Sequence, residues 1–248
     1  MTHLIDDLIA SLPEEPVPVR SVQVGAHVIA VSSRICGLAT FVADDSPHVH
    51  CPVVRNAGRL HEKTAQELAE YARSRNPVEA GIGVAAINSL LDLDEKNAVA
   101  LNASDLLAKR GAGKNVALIG HFPFVPTVRK SAANLWVLEI RPAEGDYPAE
   151  SARELIPQAD IVAITGNTLV NHTLDGLLDL CRPDALVIII GPSTPLSDVM
   201  FDHGVSILAG SKIIDEKIAL LSISQGASFH QTGGIRLLSF TRDGSAPV

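Results

Sequence analysis

Beyond residue 110 the chain carries five short aliphatic runs, NVALIG from Asn115, LWVLEIR from Leu135, DIVAITG from Asp160, ALVIIIG from Ala185 and GVSILAG from Gly204. None alternates with polar residues, so each must be buried on both faces. Buried strands joined by crossovers make a parallel sheet covered by helices. The longest apolar stretch, Ala185 to Ile190, is the length of a strand and far too short to span a bilayer. In a doubly wound sheet of this kind ligands bind beyond the carboxyl ends of the strands, so the residues after each run matter most.

The first half reads differently. Leu4, Ile5, Leu8, Ile9 and Leu12 have helical spacing, and Pro13 should end that helix before the proline-rich PEEPVPV. Arg20 to Val31 and Ile35 to Ala43 read as two strands of a hairpin around Ser32, Ser33 and Arg34. Helical period resumes at Leu68, Ala69, Tyr71 and Ala72, and Asn76-Pro77 is a helix cap followed by proline at the first helical position. The helix it starts should run from about Pro77 to Leu91, and its Ala80, Gly81, Gly83, Ala85 and Ala86 would let another backbone approach closely. Strands followed by helices predict an α+β unit over residues 1–110, with KRGAGK at Lys109 to Lys114 as the link to an α/β unit over residues 111–248.

Composition supports this division. A chain of 248 residues suits two modest domains, and 46% hydrophobic with 4% aromatic residues implies an aliphatic core. A net charge of -8 argues against nucleic acid and anionic membrane surfaces as partners. MTHLIDDLIASL has no basic stretch before its apolar residues, so the expectation is a cytoplasmic protein without a signal peptide. Cys36, Cys51 and Cys181 are an odd count without a CxxC pair, which speaks against a disulfide framework or structural zinc.

The strand-end loops hold the candidate chemistry. After the first run stands Gly120-His121-Phe122-Pro123, where a dinucleotide fold would place further glycines; Pro123 and Pro126 remove amide donors that a phosphate would need. Glu139 ends the second run, near the spacing at which an acid takes ribose hydroxyls, and Arg141, Glu144 and Asp146 follow it. These carboxylates suit a hard cation or an acid-base step. The third run leads into Thr165, Asn167, Thr168, Asn171, His172 and Thr173, groups able to cap a helix or to hold a polar ligand. The fourth leads into Pro192-Ser193-Thr194-Pro195, two prolines stiffening a loop with two hydroxyls, and the fifth into Lys212, which could meet an anion but more commonly would be a solvated lysine. His48, His50 and Cys51, with His61, are metal-ligand residue types, and His48 and His50 would share one side of an extended chain. Exposed loop histidines are the commoner source of that pattern. There is no HExxH or paired CxxC, so a metal would be recruited by a ligand rather than by a protein cage.

GIGVAAIN from Gly81, IGHFPF from Ile119, EIRPAEGDYP from Glu139, QADIVAITGNTLVNHTLD from Gln158 and GPSTPLS from Gly191 together resemble the putative heavy-metal chelation family of bacteria and archaea. The resemblance covers most of the chain. It implies an N-terminal domain similar to the N-terminal domain of enolase, a Rossmann-like C-terminal domain and a site between them, with a role in handling or making a heavy-metal chelator. The positions it singles out are Asn88, His121, Phe122, Glu139, Asp146, Thr165, Asn167, Thr168, Asn171, Ser193 and Thr194. The group at 48 to 51 lies outside these motifs.

Three functions stay open on the residues alone: a protein that binds and processes a small polar or metal-chelating molecule, an enzyme using a nucleotide or S-adenosylmethionine, and a non-catalytic carrier. The first implies a metal-chelate ligand, and through it a divalent or heavy metal as cofactor; a homo-oligomer is open in all three. In the first reading Glu139→Gln and Asn167→Ala should weaken ligand binding with little change in melting temperature.

Overall fold

The computed structural model describes residues 3–40, 53–93, 95–99 and 102–244. Its elements in chain order are α1 (Leu4–Ala10), β1 (Ser21–Val24), β2 (Val28–Ser32), β3 (Cys36–Thr40), α2 (Ala65–Ala69), α3 (Pro77–Leu90), α4 (Ala103–Arg110), β4 (Asn115–Ile119), α5 (Val125–Arg129), β5 (Asn134–Glu139), β6 (Tyr147–Pro148), α6 (Ala152–Leu155), β7 (Ile161–Thr165), α7 (Asn167–Val170), α8 (Leu174–Leu178), β8 (Leu186–Ile190), α9 (Asp198–Asp202), β9 (Ile207–Ile213), α10 (Glu216–Ser224) and β10 (Ile235–Thr241), with short 3-10 turns between them. The fold is α/β, with a large, mainly parallel sheet.

The five aliphatic runs form β4, β5, β7, β8 and β9, all parallel, in the order β9-β8-β7-β4-β5. Two further strands extend the sheet. β10 pairs antiparallel with β9, and β6 adds two residues beside β5. Neither reads as a buried run: Arg236 and Leu237, neighbours on opposite faces of β10, are both exposed, and so are both residues of β6.

The N-terminal sheet corrects the expectation of a two-strand hairpin. It is a three-stranded antiparallel meander, β1-β2-β3. The expected first strand breaks at Gly25, whose amide donates to the Val28 carbonyl at 2.9 Å and closes a turn. A side chain at Gly25 would come within 2.8 Å of Ile223, because α10 packs there. One helix from the second half of the chain thus covers this sheet, with Ile223 among Val28, Ala30, Cys36 and Leu38.

On the other face lies α3. The Asn76 side chain caps it by accepting from the amides of Val78 and Glu79, and every residue from Val78 to Leu90 is buried. A helix that is apolar all round belongs in a core. Its small residues work as expected: a Cβ at Gly83 would stand 1.9 Å from the Ala72 amide nitrogen, and one on Gly37 of β3 would stand 2.2 Å from the Ala85 carbonyl oxygen. Glu79 is the one charged residue in α3, and its carboxylate accepts from the Arg55 amide at 2.7 Å, the Arg55 Nε at 3.0 Å and Ser74 Oγ at 2.6 Å. Burial pushes the Glu79 carboxyl up, but these hydrogen bonds outweigh it and hold it below the usual carboxylate value. The halves share a single core, in which Leu4, Leu8, Ile82 and Ile87 join Val162, Leu169, Ile189 and Met200. Polar ties add to it: Asp175 accepts from the Leu4 amide at 3.0 Å, and His203 Nε2 meets Asp7 at 2.9 Å.

Two stability measurements follow from this packing. Gly83→Ala should lower the melting temperature by roughly 4–8 °C, since overpacking of this kind costs about 2 kcal/mol or more, whereas Gly176→Ala in α8, where no atom lies within 4 Å, should leave it unchanged or raise it. Denaturant titrations of wild type and Glu79→Gln should differ most at neutral pH. Because the folded carboxyl is depressed, its contribution is complete above the unfolded value of about 4.3 and disappears as pH falls through the lower folded value, so the two curves should converge in acid.

Candidate functional site

In the order β9-β8-β7-β4-β5 the chain direction across the sheet reverses between β4 and β7. Crossovers leave that point in opposite directions, which opens a crevice beyond the carboxyl ends of these two strands. Gly120 follows β4 with a φ of +107°, a conformation suited to glycine, and a Cβ there would come within 3.1 Å of Thr165 at the end of β7. The turn sends His121 and Phe122 over the crevice. Phe122 stacks on Phe124, with ring centroids 4.9 Å apart and planes 9° from parallel.

His121 is fixed from two sides. Its amide donates to Glu139 Oε1 at 2.6 Å, and its Nδ1 lies 3.1 Å from Asp146 Oδ2. Asp146 also accepts from the Ala143 amide at 3.2 Å, within a turn closed by its own amide on the Ala143 carbonyl. The Asp146 side chain is 3% exposed and that of His121 51%. A carboxylate can only accept, so Nδ1 is the donor to Asp146, and in the neutral imidazole Nε2 is then the nitrogen with the lone pair, the atom that could act as a base or a ligand. Here a buried acid orients an accessible imidazole.

Asn167 opens α7 and closes the crevice floor. Its Oδ1 accepts from Ser193 Oγ at 3.1 Å and from Thr40 Oγ1, while the Thr40 amide donates to Ser193 Oγ at 2.8 Å. This triangle binds the end of β3 to the loops after β7 and β8. Close approach makes it possible: a Cβ at Gly166 would lie 2.8 Å from the Thr194 amide nitrogen.

Two clefts flank the crevice, of about 560 and 650 Å³, and His121, Phe122, Thr165 and Asn167 border both. The first is the more polar, with Glu139, Glu150, Arg153, Thr168, Asn171 and His172; the second is largely apolar, with Phe124, Ile190, Phe229 and Leu238. A larger cleft of about 680 Å³, near Arg34 and Phe240, contains none of the candidate residues.

The structure therefore divides the residues singled out in the sequence. His121, Phe122, Glu139, Thr165, Asn167, Thr168 and Asn171 line the crevice, although Thr168 Oγ1 also donates to the Thr165 carbonyl at 2.7 Å and Asn171 accepts from Thr173 Oγ1 at 2.6 Å. Asp146 stands behind His121, and Ser193 behind Asn167. Asn88 and Thr194 border neither cleft and face a separate small recess. Lys212 is neither solvated alone nor open to an anion: it is engaged in an ion pair with Glu95, which also holds Arg236. His61 is exposed in a 3-10 turn, and His48, His50 and Cys51 lie outside the described residues. Thr40, Arg153, Phe229 and His230 were not foreseen: Thr40 is the unremarkable last residue of a strand, and the others come from segments with no strand-end signal.

Among the described residues no group of three His, Cys, Asp or Glu side chains is arranged to hold a metal ion, and no helix is long and apolar enough to cross a membrane. Burial raises the thiols of Cys36 and Cys181 to about 11, so neither is a thiolate nucleophile at neutral pH. The bonds of Asn167 also revise what its substitution should do. Asn167→Ala should cost about 1 kcal/mol or more, because it removes the acceptor that Thr40 and Ser193 share and leaves them only each other, whereas Glu139→Gln keeps an acceptor for the His121 amide and should melt with wild type; thermal unfolding of the two variants checks this.

Comparison with known proteins agrees with the fold. Residues 102–240 match the DUF364 family model and residues 5–91 the DUF4213 model, both described as putative heavy-metal chelation. An uncharacterised protein of Methanocaldococcus jannaschii is 32% identical over 173 residues, 67% of each chain. A crystal structure of a DUF364-family protein of unknown function from Desulfitobacterium hafniense superposes with a TM-score of 0.85 at 27% identity, covering 96% of this chain and 97% of that one. A second, from Pyrococcus horikoshii, gives 0.80 at 23% identity over 96% and 98%, a likeness of fold. With models matched across both halves and a relative aligned over two thirds of its length, the chain belongs to the putative heavy-metal chelation family.

Proposed function

We propose that the protein binds a small polar or metal-chelating molecule in the crevice between its two halves, with His121 and Glu139 as its polar contacts and Phe122 as an apolar wall. The observation that carries this reading is the His121–Asp146 pair, an accessible imidazole held by a buried carboxylate at the point where strand order reverses. Residues 1–110 then act as an enolase N-terminal-like domain that supplies Thr40 to the site, and 111–248 as a Rossmann-like domain that supplies the rest. A metal enters with its chelator: the imidazole nitrogen adds one ligand to an ion whose other positions the small molecule fills. If a reaction follows binding, His121 Nε2 is the group placed to move a proton.

A nucleotide or S-adenosylmethionine is the competing ligand, favoured by Glu139 at the end of β5 beside the crevice. Against it, α5 is five residues long with a proline in its first turn, so the amide cradle for a pyrophosphate is missing from that strand end.

Thermal shift and isothermal titration of the full chain separate these readings. The probes are Ni(II), Cu(II) and Zn(II) as free ions and as citrate and histidine complexes, beside NAD and S-adenosylmethionine. The expected outcome is a shift with at least one metal complex and none with the nucleotides; at a hundredfold excess over Kd the gain is about 2.7 kcal/mol, or roughly 5–10 °C. His121→Ala should abolish it without lowering the unliganded melting temperature. Flat curves and no heat with every complex would overturn the proposal, and a shift with NAD or S-adenosylmethionine alone would establish the competitor.

A further inference from the structure

Three side-chain oxygens in one place have no hydrogen-bond partner among the described residues: Asn88 Oδ1, Thr194 Oγ1 and Ser211 Oγ. All three border a single recess between the halves of the molecule, reached from α3, from the loop after β8 and from β9. Asn88 is 9% exposed and Thr194 3%. The orientation of the amide is set by its other end, where Asn88 Nδ2 donates to the Leu38 carbonyl at 2.8 Å, leaving the oxygen turned to the recess. A buried oxygen without a partner is destabilising, and native folds rarely leave three together.

We propose that this recess is the binding site of a single water molecule that joins Asn88, Thr194 and Ser211 across the two halves of the chain. The donor and acceptor count matches. Asn88 Oδ1 only accepts, while each hydroxyl can do either, so water donates to Asn88 and to one hydroxyl and accepts from the other, the usual three bonds of a buried water. Size limits the occupant as well. The recess offers about 10 Å³, at the lower end of what one water needs and too little for an organic ligand.

A cation is the alternative that oxygen ligands raise, and the described walls do not favour it. Among the described residues they are Cys36, Leu38, Leu91, Pro192 and Leu196 with others, none of them a carboxylate, and burial keeps the Cys36 thiol protonated with its value raised to about 11. An ion there would find no countercharge among them.

The position explains two residues that the crevice does not. Asn88 and Thr194 belong to the motifs but touch neither cleft, whereas Ser193, the neighbour of Thr194, ties Thr40 to Asn167 on the crevice floor. The water holds the back of the loop whose front completes the crevice. This inference stands independently of the ligand proposed above.

A crystal structure of the full chain at a resolution that orders water, with the Thr194→Val/Ser211→Ala double variant and Thr194→Ser, tests the assignment. Wild type and Thr194→Ser should show one peak at about 2.7–3.1 Å from all three oxygens, and the double variant should lose it. In solution, oxygen-17 relaxation dispersion should count one fewer long-lived water in the double variant than in wild type, whatever ligand the crevice takes. An empty recess in wild type, contacts of about 2.3–2.6 Å typical of a cation, or equal water counts would overturn it. Should the double variant fail to fold, the wild-type density alone decides.

Discussion

Helix α3 has no face it can show to water, and that requirement organises the molecule. With Val78 to Leu90 all buried, the helix must be covered by β3 on one side, by the α2 segment on another and by α7 on a third. Neither half of the chain supplies all of these, so the core is shared and the halves cannot be independent bodies on a flexible link. The same logic brings α10 from the end of the chain onto the far face of the N-terminal sheet. Close backbone contact is the means. Gly83 and Gly37 sit where any side chain would overlap a main-chain atom, which makes a tight, rigid seam along α3, and Thr40 ends the strand that carries Gly37.

That rigidity matters because the crevice is built from strand ends that must stay in register. β4 and β7 run side by side with Leu118 opposite Ala163, which fixes Gly120 against Thr165. Thr40, Asn167 and Ser193 then close the floor from three different elements. A site held this way keeps its geometry without a ligand, so binding has little ordering cost to offset.

Much of this was legible before any coordinates, and the reasons for the misses are physical. The five parallel strands announce themselves because burial on both faces removes polar alternation, and the Asn76-Pro77 cap marks the start of α3 because few residues satisfy both roles. β10 was silent: Arg236 and Leu237, on opposite faces of an edge strand, are both exposed and break the aliphatic run. The break at Gly25 was silent too, since the segment from Arg20 to Val31 is uniformly strand-like and only the later arrival of α10 makes a turn necessary there. Lys212 reads as a solvated lysine or an anion ligand because a sequence cannot show that Glu95 folds back to meet it.

The candidate residues carry a more general lesson about what a shared motif selects. His121, Glu139 and Asn167 face the crevice, but Asp146 and Ser193 act one step behind it, and Asn88 and Thr194 lie further back still. Spacing in the sequence could not separate these layers, because a polar residue at a strand end looks the same whether it touches a ligand or steadies one that does. Hydrogen bonds separate them. Asp146 spends its carboxylate on His121 and on its own turn, and Ser193 spends its hydroxyl on Thr40 and Asn167. The polar atoms left open to the crevice are therefore fewer than the motif suggests, and the half-exposed imidazole of His121 is prominent among them.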